Sequence, residues 1–277
     1  MLQRKTAGFS IGKNGISAIE VKGNGRLSAV RTWKEASRPD MGGPAGLKDG
    51  ITKALSESGI GVRRVSVSIP DTLARATVLD FEELPGSKKD AQGIIRCRAL
   101  MELEADPDKY ALSYQAFSFE KGNKVLCVAA ERSWINAIED GFSSSGRRVS
   151  RISVHTLNVA NLLSAGDPDS AVLTVASDFM AVLVFMSGSP VYYRCKGISN
   201  ESEAMREALS SFAFYCGKNP GHRISRIALL DETGKIAGMM SGLLPARIEE
   251  PGRTEFRLES ELTCRDLSLL AAAGSTL

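Results

Sequence analysis

The chain has 277 residues, enough for one large domain or two medium ones. Hydrophobic residues make up 43% and charged residues 24%, an ordinary globular balance that excludes whole-chain disorder. Lysine and arginine number 35 against 32 acids, and a net charge of +3 gives no strong field toward nucleic acid or a membrane.

Residues 7–11, 16–21 and 27–33 read as three short strands, separated by Lys13–Asn14–Gly15 and by Gly23–Asn24–Gly25. Asn-Gly supplies the positive φ of a tight hairpin turn. A helix follows, with Leu47, Ile51 and Leu55 on one stripe and Pro44 where a first helical turn accepts it. Val65–Ile69 alternates and reads as a fourth strand. An insertion over 72–148 then reads strand (76–81), helix (87–103), strand (111–119), strand (124–130) and helix (131–144), with Gly122–Asn123 as a hairpin turn. Val149–Val154 and the helix Leu157–Leu163 return to the first half.

The second half repeats the order of the first. Val172–Ala176, Met180–Met186 and Val191–Cys195 read as strands, with turns at Ser177–Asp178 and Gly188–Ser189–Pro190. A helix over Glu201–Cys216, a strand at Ile227–Leu230, and helices near 235–243 and 266–273 complete the chain. The expectation is a duplicated α/β protein of two lobes with a cleft between them. The first lobe is 1–71 plus 149–168, the inserted α+β subdomain 72–148, and the second lobe 169–277.

Cys97, Cys127, Cys195, Cys216 and Cys264 form no CxxC pair, which points to reduced thiols in a reducing compartment. Two histidines, His155 and His222, are too few for a His/Cys metal cage, so no metal site is expected. Met1–Ala7 has no apolar run after it and reads as no signal peptide. The most apolar window, 171–186, is shorter than the ~20 residues a spanning helix needs. Gly8–Phe9–Ser10–Ile11–Gly12 spells the G-x-S-x-G of a nucleophile elbow, but a hairpin turn follows where that motif needs a helix. The same stretch is one residue short of a phosphate loop, and Asn14 follows the lysine. His155 opens a helix, where a polar cap is the expected role.

The paired strand openings carry a resemblance. Gly8–Glu20 is similar to the motif G-L-D-I-G-x-x-x-V-K-A-V-E of the PilM family, the actin-like cytoplasmic proteins of type IV pilus assembly. Ile95–Arg96 with Ala99, Ser113–Phe117, Lys124–Ala130, Val149–Val154 and Ala160–Asn161 continue the likeness. More distantly the chain resembles FtsA and the cytoplasmic part of GspL. The resemblance implies an actin-like fold of the ribonuclease H-like duplicated kind. It also implies a cytoplasmic scaffold on the inner-membrane platform of a pilus or a type II-like secretion machine. Its partner would be the cytoplasmic N-terminal segment of a PilN-type bitopic inner-membrane protein, held in a groove between the first-half core and the insertion. Membrane attachment would then run through that partner, and self-association is left open.

The departures from the family matter as much. Ser10 stands where the family's first metal-holding Asp is, and Thr174 and Ala176 replace the second Asp and its Gly. Asp231–Glu232–Thr233–Gly234 replaces the S-G-G adenosine loop and brings two acids. Ser10, Gly12, Lys13, Thr174, Ala176 and Gly234 are therefore expected to line a vestigial nucleotide cleft that does not use Mg·ATP, leaving no catalytic residue and no cofactor. Arg96 and Arg98 are the partner-binding candidates on the groove rim. The alternatives are an ATP-binding, filament-forming FtsA-like protein, and a small-molecule kinase using Asp178.

Overall fold

The structure is a computed structural model that describes residues 5–13, 15–24, 26–35, 43–119, 122–163 and 169–277. In the first half, strands β1 (Lys5–Gly12), β2 (Gly15–Asn24) and β3 (Arg26–Lys34) form an antiparallel meander. Helix α1 (Pro44–Ser58) follows, and β4 (Arg64–Ile69) then lies parallel to β1, with Phe9 opposite Val67. Pro44 sits in the first turn of α1 as expected, and Gly59 closes the helix in the left-handed conformation at φ 60°. The insertion comprises β5 (Ala74–Phe81), α2 (Lys88–Glu102), β6 (Tyr110–Phe119), β7 (Gly122–Glu131) and α3 (Arg132–Ser143). The chain then returns through β8 (Arg148–Val154), parallel to β4, and α4 (His155–Leu162).

The second half runs β9 (Ser170–Val175), β10 (Phe179–Met186), β11 (Ser189–Gly197), α5 (Glu201–Lys218), β12 (Arg226–Asp231), α6 (Ile236–Met240) and β13 (Arg247–Glu249). Its sheet order, β11-β10-β9-β12-β13, repeats the β3-β2-β1-β4 order of the first half. In each half a central strand, β1 or β9, is flanked by an antiparallel and a parallel neighbour and is buried on both faces over most of its length. Phe9, Ile51, Val67 and Phe142 fill one core, with the Phe9 and Phe142 rings edge to face at 4.9 Å. Met180, Val182, Ala208, Phe212 and Leu229 fill the matching core of the second half.

The second lobe does not run on to the end of the chain. Strand β14 (Leu258–Glu259) pairs with β3, and helix α7 (Leu267–Gly274) packs on α4 and β1. A Cβ on Gly8 would stand 1.8 Å from the Ala272 carbonyl oxygen, and one on Gly274 would stand 1.9 Å from that of Asn158. Both glycines are therefore what lets α7 lie this close. The expected boundary 169–277 is corrected accordingly: β14 joins the first-half sheet, and α7 covers the apolar face that β2 and β3 present.

Two turn expectations shift. Ser187 and Gly188, both at positive φ, make the β10–β11 turn, while Ser189 and Pro190 already lie in β11. Gly122 and Asn123 are the first residues of β7, paired with Phe119 and Ser118. Of the other expected turn residues, Asn14 and Gly25 lie outside the described residues. Among the described residues, no helix is long and apolar enough to cross a membrane.

Candidate functional site

Two concavities carry the candidate residues. The first is a cleft of about 500 Å³ where the β1–β2 and β9–β10 turns face each other. Gly12, Lys13 and Gly15 line one wall; Ala176, Ser177 and Asp178 line the other; Glu232 and Thr233 follow β12. Ser10 and Thr174 lie in the strands below, and both are fully buried. Ser10 Oγ shares a hydrogen bond of 2.9 Å with His155 Nε2. The expected cap role for His155 is corrected: Val154 is the N-cap of α4, no side chain caps that helix, and the imidazole instead turns inward to β1. Burial pushes His155 down to about 4, against hydrogen bonds with the backbone of Ile11 and Ser68. The pair cannot serve as a nucleophile and base, since Ser10 has no solvent access and the imidazole is a weak base there.

Acidic side chains already occupy the backbone of this cleft. Glu35, buried after β3, accepts from the Ile16 N–H at 3.3 Å and pairs with Lys53 at 3.0 Å. Its carboxylate fills the space over Gly15, where a Cβ would meet Oε2 at 2.8 Å. In the other half Glu232 accepts from the Ser177 N–H at 3.3 Å. Burial raises Glu232, with Lys34 the main opposing influence, and burial raises Asp178, with Lys13 opposing. Lys13 and Lys34 thus lie within electrostatic reach of carboxylates of their own chain. Asp231, expected to add negative charge to the cleft, is fully buried and accepts from the backbone N–H groups of Thr233 and Ile236. It shapes the loop and leaves Glu232 as that loop's acid in the cleft. Gly234, at φ 67°, lies under the Arg265 guanidinium.

Behind the cleft, Asp71 joins three elements. Tyr193 in β11 donates to Oδ1 at 2.5 Å, and the Thr156 N–H at the start of α4 donates to Oδ2 at 3.1 Å. Burial pushes Asp71 up to about 6, against the hydrogen bonds from Tyr193 and Thr156.

The second concavity is a groove of about 590 Å³ between the insertion, the first-half sheet and the β10–β11 hairpin. Five consecutive residues of β6 (Ala111–Gln115) and four of β8 (Arg151–Val154) line it. Side chains of a strand alternate between its faces, so consecutive lining residues mean that each strand presents its edge. Both edges are open: β6 pairs only with β7, and β8 only with β4, among the described residues. Leu157 and Ala160 of α4, with Phe185 and Pro190 of the second half, supply the apolar floor and wall.

No protein-family model matches the sequence, and no curated protein does. Solved structures do match. The PilM-PilN type IV pilus biogenesis complex superposes with a TM-score of 0.76 at 14% identity, covering 98% of this chain and 97% of that one. Cyto-EpsL, the cytoplasmic domain of an inner-membrane component of the type II secretion system of Vibrio cholerae, gives 0.58 at 13% identity, covering 99% and 96%. A Bacteroides thetaiotaomicron protein with an actin-like ATPase fold gives 0.53 at 12% identity, covering 89% and 90%. The chain has the actin-like fold.

Within that fold, Gly12, Lys13 and Ala176 line the interlobe cleft directly, while Ser10, Thr174 and Gly234 lie beneath or beside it. Arg96 and Arg98 lie elsewhere. Both are on α2, and neither lines the groove. The Arg98 guanidinium stacks 4.9 Å from the Phe81 ring and donates to the Asp80 carbonyl, which holds it against the insertion's own sheet. The rim placement expected for the two arginines is corrected on that geometry. Glu35, Lys34 and Arg265 in the cleft, and Arg151 in the groove, are the residues that sequence reading did not single out.

Proposed function

We propose that this chain is a non-catalytic, actin-like scaffold at the inner-membrane platform of a type IV pilus or a type II-like secretion machine. In this reading it docks the cytoplasmic N-terminal segment of a PilN-type membrane protein as an added strand in the groove between β6 and β8. The observation that carries this is the pair of open strand edges facing one apolar groove. An extended peptide gains backbone hydrogen bonds from such an edge and side-chain contacts from the walls. Two structures of the same fold support the setting: a PilM-PilN complex, and a component of an inner-membrane secretion apparatus. The chain would then sit in the cytoplasm and reach the membrane through its partner.

The cleft is read as not using Mg·ATP. Ser10 and Thr174 are neutral and buried, so they present no anionic oxygen to a metal ion. Glu35 and Glu232 each take one hairpin amide, that of Ile16 and that of Ser177, and Lys13 and Lys34 act on Asp178 and Glu232. The residues present do not fit a magnesium-bound triphosphate.

Calorimetry tests both statements. A synthetic segment of about 20 residues, from a PilN-type protein encoded beside this chain, is expected to bind the full chain. Ser113→Trp, at an exposed position of β6 in the groove, is expected to abolish that binding while the melting curve stays unchanged. Binding undiminished by Ser113→Trp would remove the groove from the reading. Micromolar binding of Mg·ATP would overturn the reading of the cleft and favour the FtsA-like alternative.

A further inference from the structure

Among the described residues, one charged side chain lines the groove. Its lining is otherwise apolar or neutral, and the exception is Arg151 on β8. The Arg151 side chain is exposed and makes no hydrogen bond or ion pair with any described residue. A bulge places Arg151. Arg64 is opposite Arg148 and Val65 opposite Val149, but Ser66 is opposite Arg151, so Ser150 is the extra residue. Ser150 Oγ donates to the Val65 carbonyl at 2.9 Å and so ties the bulge down. The skipped position puts Arg64, Arg148 and Arg151 on one face of the sheet, all three exposed and none paired with a described acid.

We propose that the segment this groove takes is acidic, with an aspartate or glutamate side chain meeting Arg151, and that Arg151 sets the preference for that segment over neutral ones. The inference rests on the groove reading above and adds the chemistry of its occupant. A guanidinium flanked by apolar groove walls prefers a planar carboxylate, which it can hold with two N–H groups. A strand added along β8 would carry side chains at the cross-strand spacing of about 5 Å from Arg151, within reach of a short acidic side chain. Arg148 and Arg64 extend the same positive field beyond the contact and would steer the segment's approach. A flat anionic surface such as a bilayer reaches Arg151 poorly, because the residue sits in a concavity walled by Leu112, Tyr114 and Leu157.

The test is a displayed library of random peptides of about ten residues, a typical strand length upward. It is selected in parallel on the full wild-type chain, on Arg151→Gln, on Arg151→Glu and on Ser113→Trp, each checked by its melting curve. Recovered peptides are resynthesised with blocked ends, so that no terminal carboxylate remains, and measured by fluorescence anisotropy. The wild-type pool is expected to carry an acid at one fixed position. Changing that acid to its amide should weaken binding about tenfold on the wild type and not at all on Arg151→Gln. Arg151→Glu should prefer a lysine at that position. Equal binding of acid and amide peptides, or a difference that survives in Arg151→Gln, would overturn the inference. If neutral peptides are recovered and Ser113→Trp excludes them, the groove reading stands and the acidic preference falls alone. If the wild type retains no peptide that Ser113→Trp does not, both fall. Loss of binding to anionic vesicles in Arg151→Gln, with no change in peptide preference, would assign the arginines to a lipid surface and also overturn it.

Discussion

The cleft and the groove are concavities of similar size, and they differ in what has become of their backbone. In the cleft, acidic side chains of the chain itself take the hairpin amides: Glu35 that of Ile16, Glu232 that of Ser177. In the groove, two strands present edges with no partner among the described residues. A backbone group already satisfied gains little from a ligand, whereas an open edge gains a full set of hydrogen bonds from an incoming strand. The comparison teaches that capacity for recognition has to be sought where backbone polarity is left open, and a volume alone does not reveal it.

The comparison can be broken most severely at the frame that both sites share. Gly8→Val is expected to destabilise the chain by more than about 4 kcal/mol, because the added atoms meet the Ala272 carbonyl and push α7 off β1. Denaturant unfolding measures this, and segment binding should vanish with the fold. A smaller effect is expected at the carboxylate behind the cleft. Tyr193→Phe leaves Asp71 buried with one donor fewer and should cost about 1–3 kcal/mol at neutral pH. The cost should shrink at acid pH, where Asp71 carries its proton.

The pH dependence sharpens the contrast further. His155 is held down from 6.5 to about 4, so the folded chain resists a proton that the unfolded chain accepts; this stability is present above 6.5 and lost as pH falls toward 4. Asp71 is raised from 3.8 to about 6, so the folded chain keeps a proton that the unfolded chain has released; this stability is full below 3.8 and lost as pH rises to 6. The two slopes oppose each other across the same window. Asp71→Asn should therefore make unfolding free energy fall more steeply on acidification, and His155→Gln should make it fall less steeply or rise. Denaturant midpoints taken through that window decide the matter; parallel profiles for both variants and the wild type would contradict the assignment. Arg98→Ala should have the smallest effect, leaving segment binding within about twofold, because the side chain lies on α2 and away from the groove.

Much of the framework was legible in the sequence for a physical reason. Alternating runs such as Val65–Ile69 and the stripe Leu47–Ile51–Leu55 are periodic, and the second meander repeats the first. Strands β13 and β14 have three and two residues, too few for any period to register. Helix α7 was legible as a helix, but its destination was not, since Gly8 and Gly274 serve a contact between residues far apart in the chain. The cleft was only half legible. Gly12, Lys13 and Ala176 sit at recognisable strand ends and turns, whereas Glu35 reaches the β1–β2 turn from beyond β3, and Asp231 reads equally as a cleft charge or a loop brace. Arg151 was hidden by a bulge that shifts the register by one residue and that no composition signals.

Helix α7 also bears on how this protein is made. The strand that opens the chain and the helix that follows β8 wait for residues 267–274 to cover them. A nascent polypeptide cannot cover the second face of its first-half sheet until almost all of the second half has left the ribosome, so the first half does not mature fully ahead of the second. Truncation before residue 267 should expose the apolar faces of α4 and of β2 together, and proteolysis should find no stable N-terminal fragment to leave behind.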